Sequence, residues 1–245
     1  MAKVKNKLSG VGERMRLDRF LALASGLSRA QVRPLIQRGA IEVDGQRIRD
    51  LAHKVCTDQL VLLSGNPVAL RGPVYLMLHK PEGVVSATED AEHQTVLDLL
   101  PEKLRDGVHP AGRLDRDTTG LLLLSDDGQW SHRVTSPKRL CRKRYRLELA
   151  DPLSEPAAAI EQFAQGIMLR GETKLTLSAE LIIDSPTQMQ VLLQEGRYHQ
   201  VKRMFGALGN RVVRLHREQI GALMLDPDLE PGQYRPLTAA EIALF

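Results

Sequence analysis

The chain has 245 residues, enough for one large domain or two of moderate size. Apolar residues make up 42% and charged residues 26%, a balance that excludes wholesale disorder and fibrous architectures. No uninterrupted apolar run approaches the roughly 20 residues that a membrane-spanning helix needs. The net charge of +4 is unevenly spread: residues 1–62 hold 12 Lys/Arg against 6 Asp/Glu, and residues 63–245 hold 22 against 24. A small basic unit ahead of a nearly neutral larger one suggests a polyanion-binding appendage on another domain. The N-terminus, MAKVKNKLSG, is basic but lacks the apolar core of a signal peptide, so a soluble cytoplasmic protein is expected. Cys56 and Cys141 form no CxxC pattern, which leaves a disulfide framework or a zinc module without support.

Residues 1–14 are polar and read as a flexible tail. From Met15, the helical spacing of Leu17, Phe20, Leu21 and Ala24 predicts a first helix, stopped at Gly26. Ser28 with Gln31 forms a capping box for a second helix with Val32, Leu35 and Ile36 on its apolar face. Pro34 inside that helix conflicts with the prediction, since an interior proline costs about 3 kcal/mol. Asp44–Gly45 between IEV and QRI is a strong hairpin signal. Residues 63–73, with two Gly and two Pro, read as a linker between a unit at 15–62 and a larger one at 74–245.

In the larger unit, VYLMLHK reads as a strand, TVLDLLP as a helix, GLLLLS as a buried strand and RYRLELA as an alternating strand. PAAAIEQFAQG reads as a helix, KLTLSAELIID and TQMQVLLQEG as strands, HQVKRMFGALG as a helix, and VVRLHREQIG as a strand and turn. Strands follow strands about as often as helices intervene, which predicts an α+β fold with a mixed, largely antiparallel sheet.

AGRLDRDTTGLLLLSDDGQWSHRVTSP, residues 111–137, concentrates the polar chemistry. Carboxylates, basic groups and hydroxyls crowd a loop before an apolar strand, the usual setting of an active-site edge. Asp126 and Asp127 before Gly128 read as turn residues, and Asp117 as structural. Asp115 and Asp117, two apart, could share a Mg²⁺ as in a nuclease. No third acidic or histidine partner motif accompanies them, and the seven histidines show no HxH or HxxxH. Six Lys/Arg in nine residues, from Lys138 to Arg146, point to phosphate tracking, against the plain alternative of a solvated face.

GRLDRDTTGLLLLSDDG resembles the signature of the RsuA-type pseudouridine synthases, without an insertion. LHKPEGVVSAT, CRKRYRLEL and EGRYHQVKRMFGALGNRVVRLHREQIG resemble further segments of that family. The helix–helix–hairpin order of residues 16–62 resembles an S4 RNA-binding domain, which precedes the catalytic domain in the family. DDGQWSHRVTSP and EGRYHQVKRM are nearer to the small-subunit branch of the family than to the large-subunit branch, whose late motif carries Arg-Gln where this chain has His199-Gln200.

The resemblance implies isomerisation of uridine to pseudouridine in bacterial 16S rRNA, at uridine 516, on free RNA or an assembling small subunit. The atoms balance, so no cofactor and no metal is implied. The chain would act as a monomer, away from membranes. Asp115 is implied as the catalytic carboxylate, and an adjacent fixed cation would keep it ionised and oriented. That cation is implied to be Lys202, with Arg203 next in line. Tyr145 is implied to stack on the target base, and Arg113 to hold the flipped nucleotide or fill its gap. Arg16, Arg19, Arg29, Arg33 and Arg38 of the S4 unit would bind phosphates. A large-subunit substrate, a non-catalytic RNA-binding assembly factor and a metal-dependent nuclease remain as alternatives.

Overall fold

A computed structural model describes residues 14–136 and 141–245 of the chain. All but the last residue of the 1–14 tail lies outside the described residues, as do Lys138 and Arg139 of the basic run. The chain divides into two compact units, one ending at Gly72 and one starting at Pro73.

The first unit contains β1 (Met15–Arg16), α1 (Leu17–Ser25), α2 (Arg29–Gln37), β2 (Ile41–Val43), β3 (Gln46–Ile48), β4 (Lys54–Val55), β5 (Val61–Leu63) and β6 (Asn66–Val68). Gly26 ends α1 in the left-handed region, and the Ser28–Gln31 capping box opens α2, both as predicted. Leu17, Phe20, Val32, Ile36, Ile41 and Val61 bury a core between the helices and an antiparallel sheet ordered β3-β2-β5-β6. Pro34 does not break α2. It forfeits one hydrogen bond, to the Ala30 carbonyl, on a side that is open to solvent.

The segment 63–73 is not a linker over its whole length. Ser64 (φ 52°) and Gly65 (φ 83°) make a second two-residue turn like Asp44–Gly45, and β6 pairs with β5 across it. Pro67 misled the prediction because proline interrupts central strands, but β6 is an edge strand, where a missing N–H is tolerated.

The second unit contains β7 (Tyr75–Lys80), β8 (His109–Pro110), β9 (Thr119–Ser125), α3 (Gly128–Thr135), β10 (Lys143–Leu149), α4 (Pro156–Gln165), β11 (Glu180–Ile183), β12 (Gln188–Leu193), α5 (Gln200–Ala207), β13 (Val212–Ile220), β14 (Leu223–Met224), β15 (Tyr234–Pro236) and α6 (Ala239–Ile242). Its sheet runs β11-β12-β10-β13-β9-β7-β15, with β14 on β13 and β8 on β9. Every pairing in it is antiparallel except β13 with β9, so the expected mixed, largely antiparallel α+β fold is what forms. Among the described residues no helix is long and apolar enough to cross a membrane.

The sheet is apolar on both faces. Leu76, Leu78, Leu122 and Leu124 join Phe163 of α4 and Phe205 of α5 on one side. Met77, Leu121, Leu123 and Ile220 join Trp130 and Val134 of α3 on the other. Three local predictions differ. TVLDLLP forms turns, because Thr95 donates its N–H and hydroxyl to Asp98 Oδ2 (2.8 and 2.9 Å) and closes the chain on itself. The strand expected across KLTLSAELIID is confined to β11. Asp127 does more than turn the chain: its Oδ1 accepts from the N–H groups of Gln129 and Trp130 (3.0 Å each) and caps α3, a helix the sequence reading missed.

β9 and β13 approach so closely that only glycine fits at position 120. A Cβ there would overlap the Arg217 carbonyl oxygen and stand 2.7 Å from its nitrogen, and φ is already +108°. Gly120→Ala is therefore expected to destabilise the second unit by at least about 2 kcal/mol. Urea unfolding followed by the Trp130 signal measures it, and an unchanged midpoint would refute this account of the joint.

Candidate active site

The loop 111–118 reaches β9 from the sheet edge, and two buried side chains pin it. Ser86 Oγ donates to the Leu114 carbonyl (2.8 Å) and accepts from the Leu114 N–H (3.0 Å). Lys80, with 0% of its surface exposed, donates from Nζ to the carbonyls of Pro81 (2.9 Å), Arg116 (3.2 Å) and Thr118 (2.9 Å). Asp115 is held between these clamps, and its own carbonyl accepts from the Thr118 N–H. Burial pushes the Lys80 ammonium down to about 8, although Asp117 and Asp115 pull it upward. Its three carbonyl partners satisfy it where water cannot reach.

The facing wall comes from α5 and the residues before it. Lys202 Nζ stands 3.2 Å from Asp115 Oδ2 and 2.5 Å from Asp117 Oδ1. His199 Nε2 stands 3.5 Å from Asp115 Oδ1. Each oxygen of Asp115 thus faces its own nitrogen, which fixes the plane of the carboxylate. Burial raises the Asp117 carboxyl, but the hydrogen bond and charge of Lys202 outweigh it and hold that group below its ordinary range. Asp117, read as structural, is part of the charged cluster. The Lys202 ammonium sits where a nuclease of the Asp115/Asp117 type would carry its cation.

A cavity of about 640 Å³ opens beside this cluster, within the usual size of a ligand pocket. Tyr145 of β10 forms part of its wall and is 9% exposed. Arg217 of β13 packs beside that ring, with Cζ 6.0 Å from the ring centroid and Nη1 3.5 Å from the hydroxyl. Its Nε donates to the Leu121 carbonyl (2.8 Å), and its Nη1 lies 3.4 Å from the Arg113 carbonyl. Arg113 lines the cavity with an exposed side chain. Lys143 also lines it, with burial first and Arg217 second lowering its ammonium below the ordinary range.

The structure therefore brings together Asp115, Lys202, Tyr145 and Arg113. It does not bring Arg203 to them. That guanidinium donates to Glu172 (3.1 Å) and to the carbonyls of Tyr198 (3.1 Å) and Arg170 (2.8 Å), so it braces the loop before α5 instead of facing the cavity. On the first unit Arg16, Arg19, Arg29, Arg33 and Arg38 are all exposed. Arg16 is engaged by Asp18 through two bonds of 3.1 Å, while Arg29 and Arg33 share one face of α2.

Lys80, Ser86, His199 and Arg217 were missed as site residues. Lys80 and Arg217 left a signal: each places a charge where strand alternation calls for a core residue, after Leu76 and Leu78 and after Leu215. Ser86 left none.

The chain is similar to known proteins over nearly its whole length. The model of the RNA pseudouridylate synthase family matches residues 74–207, and that of the S4 domain matches residues 15–61. The ribosomal small subunit pseudouridine synthase A of Escherichia coli (strain K12) is 51% identical over 230 residues, covering 94% of this chain and 99% of that protein. Its counterpart in Vibrio cholerae is 52% identical over 229 residues, covering 94% and 98%. A pseudouridylate synthase crystal structure superposes with a TM-score of 0.68 at 43% identity, covering 94% of this chain and all of the other. The chain belongs to the RNA pseudouridylate synthase family and carries an S4 domain ahead of the synthase domain.

Lys80→Met leaves three carbonyls without their donor and should cost about 3 kcal/mol. Its pH dependence has a definite sign. The folded protein releases the Lys80 proton near pH 8 and the unfolded chain near 10.5, so the contribution of this group is flat below about 8 and rises up to 10.5. The stability gap between wild type and Lys80→Met should widen with pH across that window, measured by urea midpoints. A gap that narrows there would contradict the burial of a charged Lys80.

Proposed function

We propose that this protein isomerises uridine to pseudouridine in bacterial small-subunit ribosomal RNA, at uridine 516, acting as a cytoplasmic monomer without a cofactor. The observation that carries this reading is the pairing of each Asp115 oxygen with Lys202 or His199 at the edge of a cavity walled by Tyr145. The near-complete coverage by small-subunit enzymes at half identity supports the choice of substrate.

The target base must leave its stack, because a stacked base hides its glycosidic bond. Flipped into the cavity, it lies against the Tyr145 ring, and the exposed Arg113 holds the displaced strand. Asp115 acts on the sugar, as nucleophile at C1′ or as base at C2′, and the N1–C1′ bond breaks. The freed uracil turns within the pocket and C5 bonds to C1′, as the Asp115–C1′ ester breaks on the first route or the C2′ proton returns on the second. C5 then loses its proton, and N1, which had carried the sugar, gains one. Nothing is oxidised or reduced. Lys202 screens the charge of Asp115 throughout and keeps one oxygen directed inward.

The S4 unit supplies affinity. Exposed Arg29 and Arg33 of α2, which carries no acidic residue, Arg38 at its end and Arg19 of α1 are suited to phosphate contacts.

Asp115→Asn keeps the shape of the side chain and removes its charge, so it should lower turnover by at least about a thousand-fold while RNA binding persists. Pseudouridine mapping of small-subunit rRNA from cells expressing either form reads both activity and position. Turnover by Asp115→Asn near the wild-type rate would refute the assignment, and modification elsewhere in rRNA would refute the target. Replacing Arg29 and Arg33 together by Glu should weaken RNA binding and flatten its salt dependence by about one to two phosphate contacts. A salt slope equal to wild type would remove α2 from the interface.

A further inference from the structure

Tyr198 differs from the other tyrosines of this protein. Tyr145 is buried, and Tyr75 and Tyr234 are half-buried, but Tyr198 is 76% exposed on the rim of the Asp115 cavity. A large aromatic ring in water gains nothing for folding, and this one is nonetheless presented from a rigid backbone. Its carbonyl accepts from Arg203 Nη1 (3.1 Å). The preceding Arg197 is locked by Glu195 (3.2 Å) and by the carbonyls of Lys174 (3.0 Å) and Leu175 (2.6 Å). The following His199 takes a left-handed conformation, φ 48°, at the start of α5. Such a conformation costs a non-glycine residue of order 1–3 kcal/mol and collects at functional positions.

That turn lays the two rings face to face, with centroids 3.9 Å apart and planes within 17°. The far edge of the His199 ring reaches Asp115. One face of Tyr198 is covered by His199, and the other is open. A ring pair with one open face, beside a cavity whose mouth also carries the exposed Arg113 and Arg116, matches the way single-stranded nucleic acid is gripped, by stacking on an aromatic face and phosphates on arginine.

We propose that the open face of Tyr198 is a second base-binding subsite, which stacks the nucleotide adjacent to the flipped target. The subsite rests on the reading of the cavity as the place of a flipped nucleotide. It continues the neighbouring base onto Tyr198 and His199, replacing the stacking that is lost when the target leaves the strand. It also ties substrate binding to Asp115, because the ring that supports Tyr198 is the ring that faces the Asp115 carboxylate.

The test uses the full-length protein and an RNA hairpin with the target uridine, carrying an abasic site at either neighbouring nucleotide in turn. Tyr198→Ala should weaken binding about ten-fold, and Tyr198→Phe should bind within about two-fold of wild type, since the face and not the hydroxyl does the work. One of the two abasic substitutions should weaken wild type by a similar factor and cost Tyr198→Ala nothing more. 2-Aminopurine at that position should be quenched on binding wild type or Tyr198→Phe and not on binding Tyr198→Ala. Penalties that multiply independently at both neighbours, or Tyr198→Phe binding as weakly as Tyr198→Ala, would overturn the proposal. Pseudouridine formation by wild type on the unmodified hairpin is scored separately. Its absence would sink the catalytic reading, while the binding results would still decide the subsite.

Discussion

The parallel contact of β9 with β13 governs the placement of the whole site. It consists of two residue pairs, Thr119 with His216 and Gly120 with Arg217. On one side of it lie β7, β8, β15 and the loop bearing Asp115. On the other lie β10 with Tyr145, and α5 with Lys202, which runs directly into β13. The two halves of the site therefore belong to two halves of the sheet, and their separation is set where those halves meet. Three features hold the joint: the absent side chain at Gly120, the Arg217 Nε bond to the Leu121 carbonyl, and the 2.8 Å contact of Thr119 Oγ1 with His216 Nδ1. Burial first, and the neighbouring His79 second, disfavour the charged form of His216, so a neutral ring meets the Thr119 hydroxyl.

The loop bearing Asp115 is positioned by a charge that never meets solvent. Lys80 ties the carbonyls of Arg116 and Thr118, just after Asp115, to that of Pro81, and Ser86 holds the residue before Asp115. The Asp115 side chain can then stay partly open, since none of its bonds is needed to shape the loop. Lys202 and His199 are left to orient the carboxylate, and Arg217 to hold Tyr145 in place.

What was legible in the amino-acid order follows from how local each signal is. Ser28–Gln31, Gly26 and Asp44–Gly45 act within a few residues, and each does what its chemistry predicts. The strands of the larger unit were readable from alternation, and Asp115, Lys202 and Tyr145 from motif resemblance. The failures have equally specific causes. α3 was hidden because its signal is a single cap, Asp127, beside another aspartate, in a stretch of mixed polarity. β6 was hidden by Pro67, whose tolerance depends on being at an edge, and an edge is a property of the assembled sheet. Arg203 was misplaced because the motif names neighbours along a helix, while Glu172, its actual partner, comes from a distant loop. His199 and Lys80 matter through contacts across more than thirty residues of sequence, which no local pattern encodes.

The four consecutive leucines of β9 carry a further consequence. Leu121 and Leu123 enter one core and Leu122 and Leu124 the other, with every one fully buried. The hydrophobic effect cannot tell these side chains apart, so a slide of the strand by one residue would exchange leucine for leucine and expose nothing. What forbids the slide is what brackets the run. Gly120 cannot be replaced by a leucine against Arg217, and beyond Ser125 the strand is tied to the start of β7, where Asp126 Oδ1 accepts from the Val74 N–H (2.7 Å) and Asp127 Oδ2 from the Tyr75 hydroxyl (2.8 Å). The greasiest strand of the protein is thus indexed by the residues at its two ends. Its leucines should accept other aliphatic residues far more readily than either bracket accepts any change.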